Sequence, residues 1–366
     1  MTSRKWNWQQ EDWPDFSYKE SDFEAVVEKF QFKLGKLTGG YQYLKRGDGD
    51  QLKIQFLSES AYTTSEIEGE FLDRESLKSS IARHFGLYTD GRLIPPAEEG
   101  IAQLMINVYE TFAQPLNHQT LYKWHTMVVR GRTDIEVVGD YRKHLEPMQI
   151  VSGSYSHPKV HFVAPPLRIV KKEMTQFFTW YNQSQDKLPS LIRAGIAHWY
   201  FICIHPFEDG NGRLARAVTE KTLSQNLDYP VLIALSQTIV RARKKYYQAL
   251  EMNNRSNNIT TWLMYFCDLV LEAVDKSQEL LDFLIKKTQF FDIHMSLMNE
   301  RQAKVIKRVF EESPWGFKGG LSAKNYLSIT KTSRATTTRD LAELVKNNIL
   351  RKEGVGKGTR YYLKCE

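Results

Sequence analysis

A histidine, two acids, two glycines around an asparagine and two arginines fall within twelve residues, in His205-Pro-Phe-Glu-Asp-Gly-Asn-Gly-Arg213 with Arg216 three residues on. An apolar run precedes the stretch and a helical pattern follows it, so Pro206 stops one helix and Gly-Asn-Gly opens the next. The first backbone N–H groups of a helix have no partner inside it. Near Gly210, Asn211 and Gly212 they point at whatever sits there. Glycine lets a phosphate come close, and the helix dipole adds partial positive charge. Arg213 and Arg216 share a face at that end, and two guanidinium forks suit a polyphosphate better than a lone phosphate. Asp209 is out of place in a purely anion-binding loop and makes sense as a ligand to Mg2+ that bridges phosphate to carboxylate. His205 is the one side chain there that can take a proton from an attacking hydroxyl near neutral pH. Alone, the histidine reads as a core or cap residue and Gly-Asn-Gly as a turn. Their conjunction, in this order, marks a site.

The elements that must position this loop are helical. "DFEAVVEKFQFKLGKL" places Phe23, Val26, Val27 and Phe30 on one helix face. "QLKIQFLSESAYTTSEIEGE" continues as a helix that stops at Gly69, and further helical patterns cover 98–112, 119–129, 167–183 and 190–203. The last is apolar on nearly every face and should be a central buried helix. One β signal interrupts them: 148–151 and 159–163, separated by Gly153, Ser154 and Pro158, read as a hairpin with a loose loop. A helical pattern resumes at 211 and runs with breaks to about 291. The amino-terminal aromatics Trp6, Trp8, Trp13, Phe16 and Tyr18 should be packed down, since a solvated tail would not carry such a density of them. His198, in the apolar run, is expected in the core, and no His-Glu-x-x-His supports a zinc peptidase.

The ordered set at 205–216 resembles the motif of the Fic family, matched at every defining position, and the resemblance extends over about 98–285. "GDYR" at 139–142 is similar to the family's Gly-x-x-Arg, and the hairpin to its flap. "YYQALEMNN" and "NITTWLMYF" resemble the segment that lines the nucleobase pocket. The resemblance implies transfer of AMP from ATP to a protein hydroxyl with Mg2+ and release of pyrophosphate. It implies His205 as base, Phe207 as the loop's anchor, Asp209 as the Mg2+ ligand, and Gly210, Asn211 and Gly212 on phosphate. Arg213 and Arg216 would hold the β and γ phosphates, with Tyr247 and Asn254 on adenine. The target would add as an extended segment to the flap and present Tyr, Thr or Ser.

A second resemblance concerns "TSEIEG" at 64–69, which is similar to the Ser/Thr-x-x-x-Glu-Gly/Asn inhibitory motif of some Fic proteins. Thr64 and Glu68 are four residues apart and face the same way on a helix. Glu68 would then pair with Arg216 and occupy the guanidinium that the γ-phosphate needs. The aromatic amino terminus also resembles a small domain found ahead of some Fic domains.

The last segment differs in kind. "NERQAKVIKRVFEES", "SAKNYLSI" and "SRATTTRDLAELVKNN" are short helical patterns, and "ILRKEGVGKGTRYYL" is a glycine-tipped hairpin, together resembling a winged helix-turn-helix. Residues 300–366 hold 15 Lys and Arg against 7 Asp and Glu, so the chain's net charge of +7 resides there. That asymmetry suggests an acidic partner such as DNA, with Arg334, Thr336, Thr337 and Arg339 on the recognition helix and Lys357 and Arg360 on the wing. The expected fold is mainly α: an amino-terminal helical region with the inhibitory helix (1–95), a Fic domain with a hairpin flap (96–290) and a winged helix (291–366). Alternatives are removal of AMP or another nucleotide donor and, in another class, a nucleotide-sensing DNA-binding regulator. Three widely spaced cysteines, no signal-like amino terminus and no long apolar run lead to the expectation of a cytoplasmic protein away from membranes. Self-modification and a homodimer are expected partners by analogy.

Overall fold

The computed structural model describes residues 5–364 apart from 43, 45, 88–90, 155–156, 228–229 and 313–318; the side chain of Lys357 and the whole of Cys365 lie outside the described residues. In chain order the elements are α1 (Glu24–Gln42), α2 (Arg46–Ile67), α3 (Arg74–His84), α4 (Pro96–Glu110), α5 (His118–Val128), β1 (Gln149–Ser154) and β2 (His157–Val163). Then come α6 (Leu167–Gln183), α7 (Ser190–Ile204), α8 (Asn211–Ser224), α9 (Leu235–Arg241), α10 (Arg243–Asn253) and α11 (Thr260–His294). The carboxy-terminal part holds α12 (Glu300–Glu312), α13 (Ala323–Thr330), α14 (Arg334–Lys346), β3 (Leu350–Glu353) and β4 (Arg360–Leu363). The fold is mainly helical, with two small antiparallel hairpins. The chain divides into two units, Met1–Ser277 and Gln278–Glu366, and the division falls inside α11.

In the first unit α7 is the centre. Leu191 to Ile204 are all buried, as an element apolar on every side must be. Helix α8 lies along α7, and α2, α4, α5 and α9 pack around α8. The outer helices show one apolar stripe each: on α6, Val170, Met174, Phe177, Phe178 and Tyr181 are buried while the opposite face is solvated. Asn117 and Asp73 cap α5 and α3 by accepting from backbone N–H groups three residues on, which satisfies otherwise orphaned donors. The aromatic amino terminus is packed as expected. Trp13 and Phe16 meet Tyr200 of α7 edge to face, Trp8 Nε1 donates to Val163 O, and Trp13 Nε1 donates to Glu173. Buried Asn7 donates to Cys203 Sγ, and burial pushes that thiol up, so Cys203 is an inert core residue. His198 is also a core residue, bonded to Thr219 and Tyr246.

The second unit has the expected order of three helices followed by a hairpin, β3 pairing with β4. Its core joins Val305, Val309 and Phe310 of α12 with Tyr326, Leu341, Leu344 and Ile349. Ser322 and Ser333 cap α13 and α14. One expectation needs correction: Thr337 is buried against this core and is not on the outward face of α14, where Arg334 and Arg339 are exposed. Thr337 stands one turn before buried Leu341, on the side of α14 that packs inward. No helix among the described residues is long and apolar enough to cross a membrane.

Candidate active site

The loop between α7 and α8 is held in a shape that its own residues do not favour. His205 ends α7 in the left-handed region (φ 51°, ψ 58°), a conformation that disfavours a side-chain-bearing residue by about 1 kcal/mol. Buried Arg142 fixes it: its Nε donates to His205 O at 3.0 Å, its backbone N–H to Pro206 O, and its terminal nitrogen to Pro165 O. Phe207, fully buried, stacks on the imidazole of His125 at 4.3 Å between centroids. The side chain of Asn211 closes the loop, accepting from Phe207 N and donating to Phe207 O. Only the backbone N–H of Asn211 is therefore left for a phosphate. Asn211→Ala would strand two buried backbone groups at about 1–3 kcal/mol each. The thermal midpoint should fall by about 2–4 °C for every kcal/mol lost; an unchanged melting curve would show that the brace is dispensable.

Gly210 caps α8 with φ 80°, and a Cβ there would lie 2.7 Å from Val128. At Gly212 a Cβ would strike Glu68 Oε1, so the amino end of α8 is open to an oxygen and Glu68 supplies it. Glu68 also meets Arg216 at 2.8 Å, while Thr64 receives two further bonds from the same guanidinium, on its hydroxyl and its carbonyl. A second acid, Glu70, pairs with Arg213 at 2.5 Å and with Arg132 at 3.1 Å. Arg132 in turn reaches Asp209 at 3.0 Å, and Arg213 reaches Asp209 at 3.4 Å. Arg213 and Arg216 are almost wholly buried, yet Arg213 Nε and Arg216 Nη1 have no acceptor among the described residues. Buried guanidinium donors without partners are rare and call for an anion.

His205 faces the same space. Its Nδ1 donates to Ile202 O at 3.3 Å, which leaves Nε2 as the free acceptor. Burial, seconded by the charge of Arg142, pushes its pKa from 6.5 down to about 4 against the weaker opposing pull of Ile202 O, Glu68 and Asp209. The imidazole is thus neutral throughout the physiological range. Because the folded value lies below the unfolded one, its neutral burial supports the fold fully above about pH 6.5 and progressively less as pH falls toward 4. An NMR titration of the His205 ring should give a midpoint near 4; a midpoint near 6.5 would mean that the ring is solvated.

Glu68, His205, Asp209 and Gly210 to Gly212 line a cavity of about 810 Å3 with the flap β1–β2 on one side and α10 on another. Tyr247 is on its wall, with its hydroxyl 3.2 Å from Glu68 Oε2. Asn254 lines it as well, but its side-chain amide donates to His161 O of β2 and so ties the flap to the segment after α10. Sequence reasoning placed His205, Asp209, Arg213, Arg216, Thr64 and Glu68 together, as the structure does. It missed Glu70, Arg132, the Asn211 brace and the links from Tyr247 and Asn254. The adjacency of Glu70 to the inhibitory stretch was the one signal that could have pointed to it. Among the described residues no group of three or more His, Cys, Asp or Glu side chains could cage a metal. A lone carboxylate completed by substrate phosphates is nevertheless the donor set Mg2+ takes at nucleotide sites, and half-exposed Asp209 fits it.

Residues 115–223 match the Fic/DOC family, and residues 6–87 match a domain of unknown function, DUF4172. Over 136 residues the chain is 29% identical to the protein adenylyltransferase Fic of Culex quinquefasciatus and 32% identical to that of Drosophila virilis, covering 36% of this chain and 26% of each relative. The chain thus spans about a quarter of the length of these curated relatives. A Fic family protein from Desulfovibrio desulfuricans has the same fold at 19% identity, with a TM-score of 0.56 over 96% of this chain and 98% of that one. A Fic domain containing signaling protein from Bacteroides thetaiotaomicron aligns at 22% identity and TM-score 0.53, over 71% of this chain and 96% of the other.

Proposed function

We propose that this chain, whose residues 115–223 form a domain of the Fic/DOC family, transfers AMP from ATP to a Tyr, Thr or Ser hydroxyl of a protein and is held inactive by Glu68. The observation that carries the reading is the pair of buried arginines at the amino end of α8 with unmatched donors, beside a neutral histidine, with a carboxylate sitting in the anion cradle. The similarity to adenylyltransferases over the Fic region agrees with it.

The chemistry follows from positions. The polyphosphate takes the place of Glu68 at the backbone N–H groups of α8, and Arg213 and Arg216 neutralise it. A protein hydroxyl attacks the α-phosphorus as its proton passes to His205 Nε2, and the bond to the bridging oxygen breaks with pyrophosphate leaving. Asp209 would hold Mg2+, which supplies charge neutralisation on the phosphates when bound. Little covalent work is left to the protein, so catalysis is positioning and charge stabilisation. The flap is a two-stranded sheet, and an extended target segment can pair along a strand edge and carry its hydroxyl into the cavity.

Glu68 opposes this in two ways: it fills the cradle at Gly212 and it satisfies the Arg216 donor that a γ-phosphate would use. Glu70 likewise satisfies a donor of Arg213. The test is product analysis with Glu68→Gly, ATP, Mg2+ and added proteins. Pyrophosphate release matched by AMP covalently bound to hydroxyl side chains supports the reading; ADP and phosphoprotein as the products would overturn it.

A further inference from the structure

The four charged side chains around Asp209 close a ring. Glu70 Oε1 accepts from Arg132 Nη1 at 3.1 Å, and the same nitrogen donates to Asp209 Oδ2 at 3.0 Å. Asp209 Oδ2 also accepts from Arg213 Nη2 at 3.4 Å, and Arg213 Nη1 donates to Glu70 Oε2 at 2.5 Å, which returns to the start. Two acids alternate with two arginines, so the charges cancel within the ring. Each outer member is aimed by its own segment. Gly69 (φ 88°) stops α2, its N–H donating to Glu66 O and that of Glu70 to Ser65 O, the paired bonds of a glycine helix stop. That turn places Glu70 on Arg213 while Glu68 is on Arg216. Arg132 follows α5, and its Nε and Nη2 fork onto Asp134 at 2.7 and 2.6 Å. The fork fixes the plane of the guanidinium and turns Nη1, with its two hydrogens, to Glu70 and Asp209.

Two members of the ring are the groups that the reaction needs free. Arg213 has Glu70 on one terminal nitrogen and Asp209 on the other. Asp209 has one oxygen on the backbone N–H of Gly210, and its other oxygen carries both arginines. A cation coming to that oxygen meets two guanidinium groups already bonded to it, and like charges repel.

We propose that Glu70 and Arg132 form a second latch, separate from Glu68: Glu70 holds the fork that binds phosphate, Arg132 holds the carboxylate that binds a divalent cation, and a nucleoside triphosphate with its metal must displace both. The inference rests on the nucleotide-binding part of the reading above and names two residues that regulate that site. Displacement strands no charge. Phosphate replaces Glu70 on Arg213, the cation replaces Arg132 on Asp209, and Glu70 and Arg132 keep each other and Asp134 as partners.

The experiment measures binding of the α,β-methylene analogue of ATP, which cannot transfer AMP, to the full chain as Glu68→Gly. Calorimetry is run in EDTA and in saturating Mg2+. Adding Glu70→Gln frees Arg213 and should tighten binding in EDTA about tenfold. Adding Arg132→Gln frees Asp209 and leaves Glu70 on Arg213, so binding in EDTA should not tighten, while the gain on supplying Mg2+ should grow about tenfold. Tenfold is near the lower end for a charge-assisted bond, as suits side chains 30% and 34% exposed. A merely structural role moves both variants the same way with and without metal. That result, or unchanged binding in both variants, overturns the inference and leaves the transferase reading standing. Analogue bound by no variant, Glu68→Gly alone included, overturns the nucleotide reading and this inference with it.

Discussion

Replacing Glu68 by glycine is expected to raise AMP transfer to added proteins at limiting ATP by about ten- to hundredfold. The carboxylate makes a charge-assisted bond to Arg216 and lies against Gly212. A hydrogen bond to a charged group contributes about 1.5–3 kcal/mol, and each 1.4 kcal/mol is a factor of ten in an equilibrium constant. Nucleotide must displace that contact in the wild type and need not in the variant. Thr64 still accepts twice from Arg216, so the guanidinium stays in place to meet a phosphate. Glu68→Gln, which keeps the shape and removes the charge, should fall between the two. Wild-type behaviour of Glu68→Gly across a range of ATP concentrations would show that the contact is not a brake.

The second large effect is at His205. In the Glu68→Gly background, His205→Ala should lower transfer to proteins supplied in trans by about 10²–10⁴-fold, the range for loss of a positioned general base. Affinity for ATP should change little, since the imidazole touches neither arginine and the cradle is built from α8 and Arg142-held backbone. A loss of nucleotide binding equal to the loss of rate would mean that His205 shapes the loop and does not take the proton. The neutral state of the ring also sets the pH response: the acid limb of transfer due to His205 lies near pH 4, and activity governed by it is level from about 5.5 upward.

Much of the site was legible because its chemistry is local. His205 to Arg216 is one loop and one helix turn, and proline, glycines and helical period fix where each side chain goes. The apolar character of α7 likewise announced a central helix. What escaped depends on chain segments that only the fold brings together. Glu70 reaches Arg213 across 143 positions, and Arg132 reaches Asp209 across 77. Nothing in the composition near Arg132 marks its partner. Asn211 was read through its backbone alone, although its side chain was free to brace Phe207. Thr337 was grouped with Arg334, Thr336 and Arg339 on the recognition helix of a basic segment, and packing beside Leu341 buries it. The register of β1 against β2 shifts between Ile150 and Val151, which no residue in the hairpin encodes by itself.

AMP transfer requires that the α-phosphorus of ATP be the atom attacked. Parallel incubations of Glu68→Gly with Mg2+ and either α-labelled or γ-labelled ATP test it most directly. Protein-bound label is expected from the α position alone, with the γ label recovered in pyrophosphate. Protein-bound label from the γ position, or none from either while ATP is bound, would contradict it.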